Sequence, residues 1–250
     1  MIQSSDTIVL KTISHGDTSK IVICYTKNFG QVKLIAKGAR SKKSPHKNLF
    51  FPGRHINISY YEKPNRELLL FKSGELLSSF NMIEKDLDRM TFSQVMMDLL
   101  DHTMTHSESQ ESIYKLTLTA LQNLNQRDIP VYWTYWSFHL QLLSHLGFHF
   151  ETDICHQCQS TITTTATMTH HQELLCDVCN HGALGFIPLT KRILKTMKAL
   201  LNEEKAPYES YTKIERQTLW KFLWQYTHFH LESTRYMKSL EVLQQIYGTL

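Results

Sequence analysis

The chain has 250 residues, 42% hydrophobic and 20% charged, a globular mixture that excludes a disordered or collagen-like protein. Its longest aliphatic or aromatic run, Leu68 to Phe71, is far short of the roughly 20 residues that span a bilayer, so no membrane association is expected. The formal charge of +4 hides an asymmetry: residues 1–66 carry twelve Lys or Arg against Asp6, Asp17 and Glu62, a net +9, while the rest of the chain sums to −5. A basic module joined to a mildly acidic remainder points to a polyanionic partner, most commonly nucleic acid. The start, MIQSSDTIVLKT, has neither the basic nor the apolar region of a secretory leader, which gives the cytoplasm as the expected compartment, where thiols stay reduced.

In chain order, β-branched and aromatic segments set off by turn residues predict strands over Thr7–Thr12, Lys20–Tyr25, Gln31–Lys37, His55–Tyr61 and Glu67–Leu76. Asn28-Phe29-Gly30 and Pro64-Asn65 supply turns. In the third strand Val32, Leu34 and Ala36 alternate with Gln31, Lys33 and Lys37, which gives one core face and one cationic face. Five short strands fit a small OB-type barrel, whose strand face and loops bind oligonucleotides. An SH3-like barrel has similar counts, and periodicity does not choose between them.

The stretch Lys37–Lys47 carries five basic side chains and His46 in eleven residues, with Gly38 and Pro45 breaking regular structure; a mobile cationic loop is expected. Phe29, Phe50, Phe51, Tyr60 and Tyr61 interleave with it. Single-strand binders combine a positive groove with rings on which bases stack, although Phe50 and Tyr60 suit a barrel core equally well. Lys20, Lys33, Lys37, Arg40, Lys42, Lys43, Lys47 and Arg54 are the candidate phosphate contacts.

From residue 82 the apolar period becomes helical, predicting helices over Met82–Asp101 and Ile113–Leu124 and a central bundle helix over Val131–Leu146, ended by Gly147. One further helix is expected to be opened by Pro188 and Thr190 and to run through Ile193, Leu194, Met197, Leu200 and Leu201, with others over Thr212–Leu231 and Ser239–Tyr247. The expected fold class is thus α+β: an OB-type domain over 1–80, then a helical bundle over 81–250 interrupted by a ribbon over 151–182.

The ribbon is marked by Cys155-x-x-Cys158, seventeen residues, then Cys176-x-x-Cys179, a spacing typical of zinc sites. Two thiolate knuckles complete a tetrahedral four-sulfur shell with no open position for water, so one structural Zn²⁺ per chain is expected and no catalytic residue. Thr161–His171 suits a hairpin arm, and His156, His170, His171 and His181 read as surface histidines. His171-x-Glu173 followed by Cys176-x-x-Cys179 superficially matches the zinc deaminase signature. It fails, because only two residues separate the halves, Leu175 replaces the proline, and Cys155 and Cys158 would have no task. Phosphate-loop and dinucleotide fingerprints are absent.

Several local patterns resemble the bacterial recombination mediator family RecO: Asp17-Thr18-Ser19-Lys20-Ile21, Thr26-x-x-x-Gly30, Ala36-Lys37-Gly38-Ala39-Arg40 with Lys43-Ser44, Leu223-x-x-Tyr226-x-x-x-His230-Leu231 and Lys238-Ser239-Leu240. Glu232 stands where a glycine commonly follows. The resemblance implies a non-enzymatic DNA-repair protein that binds single- and double-stranded DNA, anneals complementary strands, and with RecR helps RecA replace single-strand-binding protein in gap repair. It also implies that the tail of single-strand-binding protein docks on the helical domain, for which Lys191, Arg192 and Lys195 are candidates. The rival readings are a zinc-ribbon RNA-binding or translation-associated adaptor, and a zinc-dependent enzyme acting on nucleic acid.

Overall fold

The computed structural model describes residues 1–104, 110–180, 187–202 and 211–247. Its N-terminal part is a closed barrel of β1 (Ile2–His15), β2 (Ser19–Thr26), β3 (Gly30–Ala36), β4 (His55–Tyr61) and β5 (Leu68–Ser78), in the order β1-β2-β3-β5-β4. This closure, with β3 and β5 parallel, is that of an OB barrel and removes the SH3-like alternative. β1 extends beyond the expected Thr7–Thr12 because it serves two neighbours: Ile2–Ile8 pair with β4 and Thr7–His15 with β2. Polar residues such as Gln3 and Ser4 are thus held in strand by their partners rather than by propensity.

Alternation sends Val22, Cys24, Val32, Leu34, Ile56, Ile58 and Tyr60 inward, all buried, and each such aliphatic side chain contributes about 1.5–3 kcal/mol. Burial raises the Cys24 thiol well above its ordinary range, leaving it unreactive. β1 bulges between Val9 and Lys11, where Val9 exchanges backbone hydrogen bonds with Gly53 and Arg54. Gly53 has φ +83°, and a Cβ there would lie 2.9 Å from Ser93 Oγ, so glycine is required.

Two turns explain patterns seen in the sequence. Thr26 Oγ1 donates to the Gly30 carbonyl and accepts from Phe29 N, both at 2.9 Å, and Gly30 has φ +65°. Beyond β3, Gly38 has φ +69° and Arg40 N donates to Thr18 O at 2.7 Å. The cationic loop from Lys37 runs through successive turns, and its Ala39, Leu49 and Phe50 are buried in the core cluster of the barrel.

The helices are α1 (Asn81–Lys85), α2 (Leu87–Thr103), α3 (Glu111–Leu124), α4 (Val131–His145), α5 (Lys191–Leu201), α6 (Lys213–His230) and α7 (Lys238–Tyr247). The single helix expected over Met82–Asp101 is two. Asp86 sits at φ −122°, ψ 121° and accepts from Arg89 N, which caps α2 and breaks the ladder. Thr190 caps α5, and Thr212 with Glu215 forms a reciprocal capping box on α6. α6 ends at His230, and Leu231, at φ −130°, leads into a 3-10 turn over Glu232–Tyr236. No left-handed residue is needed there, which accounts for Glu232 in place of glycine.

Packing divides the chain into two compact units, one of Met1–Val131 with Tyr236–Leu243, the other of Tyr132–Arg235 with the chain after Leu243. In the first, Ser239 at the start of α7 donates to buried Asp98 of α2 through its backbone N (3.2 Å) and Oγ (2.7 Å), giving the Lys238-Ser239-Leu240 pattern a structural task. In the second, α4 is buried almost all round, its Tyr135 and His139 rings meeting Trp220 and Trp224 of α6. No helix among the described residues is long and apolar enough to cross a membrane.

Buried His139 joins α4 to α6. Tyr135 Oη donates to Nδ1 (2.9 Å), Nε2 bonds Thr227 Oγ1 (2.7 Å), and Thr227 in turn donates to Leu223 O. Burial, reinforced by His228, pushes the imidazole down to about 3 from 6.5. The unfolded chain therefore holds the extra proton between these values, so this contribution to stability is complete above about pH 6.5 and is lost as pH falls toward 3. Urea unfolding of His139→Gln is expected to show a flatter pH dependence between pH 6 and 4 than the parent protein.

Candidate nucleic-acid interface and metal centre

The β2–β3 hairpin has two ends with different surroundings. Near its turn, Tyr25 Oη contacts Gln110, Gln31 Nε2 donates to Asp101 Oδ1 at 3.0 Å, and Lys27 pairs with Glu111. At the opposite end Lys20 lies opposite Ala36, beside Lys37 and the loop. Here the start of β2 and the β3–β4 loop bring Lys20 and Arg54 over the Phe51 ring, with Arg40 near Lys20. Lys20 Nζ is 5.5 Å and Arg54 Cζ 4.6 Å from the ring centroid, and the ring itself is 46% exposed. Partial burial and the Arg40 and Arg54 guanidinium groups hold the Lys20 ammonium below its usual range. Arg40 Nη1 also donates to Gly16 O at 3.2 Å.

The other candidates distribute as follows. Lys42, Lys43 and Lys47 are exposed along the loop, Lys37 is exposed where it leaves β3, and Lys33 is exposed on the outer face of β3. Among the described residues none of these five, nor Lys20 or Arg40, has a carboxylate within 4.0 Å. Arg54 differs: its Nε and Nη2 donate to Glu84 Oε1 at 2.9 and 2.7 Å. Lys11 likewise pairs with Asp101. Of the aromatics, Phe50 and Tyr60 are buried, whereas Phe51 and Tyr61 face outward.

The sulfurs of Cys155, Cys158, Cys176 and Cys179 all lie within 4.8 Å of one another. The Cys158–Cys176 separation is 3.9 Å, close to the roughly 3.8 Å edge of a tetrahedron with Zn–S bonds of about 2.3 Å. Each knuckle is a tight turn. Gln159 N donates to Cys155 O and Asn180 N to Cys176 O, both at 2.9 Å, and Gln159 takes φ +57°. Burial opposes ionisation of Cys155, but the backbone N–H groups of Cys158, Cys176 and Gln157 bring its thiol down to about 6. This donor set and geometry fit a single tetrahedral metal ion.

The strands of the ribbon are β6 (Ala166–Met168), β7 (Leu174–Cys176) and β8 (Ile187–Leu189), in the order β7-β6-β8. The first strand of the hairpin, β6, lies within the expected Thr161–His171 and its partner β7 beyond it, while Thr164 and Thr165 donate to the Asp177 carboxylate of the second knuckle. His156 is exposed and pairs with Glu173, and His170 and His171 are exposed; His181 lies outside the described residues. A second group, Asp98, Asp101 and His102, is committed to structural bonds with Ser239, Lys11 and Gln31. In the helical unit Lys191 and Lys195 are exposed, but Arg192 is held by Glu215 and lies over the Tyr211 ring.

Residues 1–80 match the family described as Recombination protein O N terminal, and residues 84–241 the one described as Recombination protein O C terminal. The DNA repair protein RecO of Pelodictyon phaeoclathratiforme is 28% identical over 98% of this chain and 99% of its own length. That of Caldanaerobacter subterraneus is 25% identical over 91% and 92%. That of Chlorobaculum parvum is 33% identical over 59% and 57%. With both halves of the chain matched in order, on a closed five-stranded barrel followed by helices, this protein belongs to the RecO family of DNA repair proteins.

Proposed function

We propose that the chain is a non-enzymatic recombination mediator that binds single- and double-stranded DNA through its barrel, anneals complementary strands, and with RecR assists RecA in replacing single-strand-binding protein during gap repair. The observation that supports this reading is the set of cations without a carboxylate partner among the described residues, Lys20 over exposed Phe51 and Arg40 near it, with Lys37, Lys42, Lys43 and Lys47 along the adjoining loop. Paired cations are already neutralised, so these unpaired ones would grip phosphates. A cationic surface that screens the repulsion between two strands lets base pairing nucleate between them.

In this reading residues 1–80 form the DNA-binding domain and 81–250 a helical domain interrupted by the ribbon over 151–182, whose four cysteines hold one structural Zn²⁺. The acidic tail of single-strand-binding protein would meet exposed Lys191 and Lys195 on α5. The protein would act in the cytoplasm, on the nucleoid. The test is annealing of complementary oligonucleotides, bare and coated with single-strand-binding protein. Acceleration of both by stoichiometric protein is expected. Preference for RNA, or turnover abolished by chelation, would overturn it in favour of an adaptor or an enzyme.

A further inference from the structure

A cleft of about 420 Å³ lies on the barrel where β3 meets the β4–β5 turn, within the range of small-molecule sites, roughly 300–1,000 Å³. It arises from the way the barrel closes. β3 and β5 pair only over Lys33–Ile35 and Leu68–Leu70, and Asn65, at φ +61°, turns the chain so that Arg66 N reaches Lys63 O. The walls are apolar and unusually open for a strand face: Tyr61 and Leu68 are each 38% exposed and Leu70 37%.

Lys37, Lys63 and Arg66 also line it. None of the three has a carboxylate partner among the described residues, and no described lining residue is acidic. Glu62 at the same turn accepts from Gln3 Nε2 at 2.9 Å and is not part of the lining. An aromatic and aliphatic lining with three positive charges at the rim suits a ligand with a planar apolar face and a flanking anion. Lys37 also belongs to the loop that carries the unpaired cations, so the cleft continues that surface.

We propose that this cleft takes one unstacked nucleobase of a single strand, its face against Tyr61 and its neighbouring phosphates at Lys37, Lys63 and Arg66. The inference rests on the DNA-binding reading above and deepens it. A duplex keeps its bases stacked and offers the rim only phosphates, so the cleft distinguishes single strands from double.

The test is fluorescence anisotropy at fixed salt with an oligothymidylate and an abasic oligonucleotide of the same length and charge. Because a base stacked on an aromatic side chain is worth about 1–3 kcal/mol, the parent protein should prefer the thymidine strand by about 5- to 150-fold. Tyr61→Ala should abolish that preference with abasic binding unchanged, Tyr61→Phe should keep it, and Lys63→Ala with Arg66→Ala should weaken both strands alike. A fluorescent base analogue in the strand, quenched on binding the parent protein, gives a readout that needs no variant. Equal binding of both strands by the parent protein, absence of quenching, or a preference retained in Tyr61→Ala overturns the cleft alone. Failure to bind either strand overturns the DNA-binding reading and the cleft with it.

Discussion

Cys155→Ser is expected to strip the metal from the ribbon and to lower the stability of the protein by several kcal/mol, well beyond the roughly 1 kcal/mol of a typical substitution. The reason lies in how little else holds this segment. From Glu151 to Thr165 only Thr152 and Cys155 are buried, and the small sheet of β6, β7 and β8 contributes a few apolar side chains such as Ala166, Met168, Leu174 and Ile187. So small a core does not offset the conformational entropy lost in ordering the segment. A metal bound only by the folded form would supply the difference, and for structural zinc in isolated fingers that amounts to about 10–16 kcal/mol. One zinc per chain should appear by mass spectrometry of the parent protein and none of the variant. A chelator should lower the melting temperature of the parent and leave the variant where it is. Parent protein free of zinc, or a variant with an unchanged melting curve, would count against the assignment.

What could be read from the sequence follows from how local the physics is. The His55–Tyr61 strand has the predicted bounds because its alternation is intact and its flanks are turn residues. The cysteine site was legible because thiolate spacing alone encodes a tetrahedron. Less local features were not. Ile2–Ser5 form strand only through β4, and the break at Asp86 rests on a cap whose apolar neighbours continue an almost unbroken helical period. Ala39, Leu49 and Phe50 carry no periodic signal, yet all three are buried in the core cluster of the barrel. Charge counting shows the positive excess of the first 66 residues, but not which of those cations lack a carboxylate partner. The carboxylates that face Lys11, Lys27 and Arg54 come from Asp101, Glu111 and Glu84, far along the chain. Lys63 and Arg66 entered the count without a place, because Pro64-Asn65 reads only as a turn.

This distinction between paired and unpaired cations governs the binding experiment. Each Lys or Arg that neutralises a phosphate on a single strand releases about 0.7 of a counterion, so about six contacts give a slope of log K against log salt near −4. Replacing Lys37, Arg40, Lys42 and Lys43 together with Ala removes cations that have no carboxylate partner among the described residues. The expected slope falls to about −1.5, with a loss of affinity of about 10²-fold or more near 0.1 M salt. Lys11→Ala and Lys27→Ala serve as controls: their ammonium groups face Asp101 at 3.4 Å and Glu111 at 3.8 Å, so the slope should barely change. Glu84→Gln tests the same logic in reverse. It leaves the Arg54 fork without its carboxylate, beside Phe51 and Lys20, and should steepen the slope by somewhat under one unit. An unchanged slope in the quadruple variant would place the phosphate track elsewhere on the molecule. A steep loss in the Lys11 and Lys27 controls would show that net charge, rather than the gathered cations, sets the affinity.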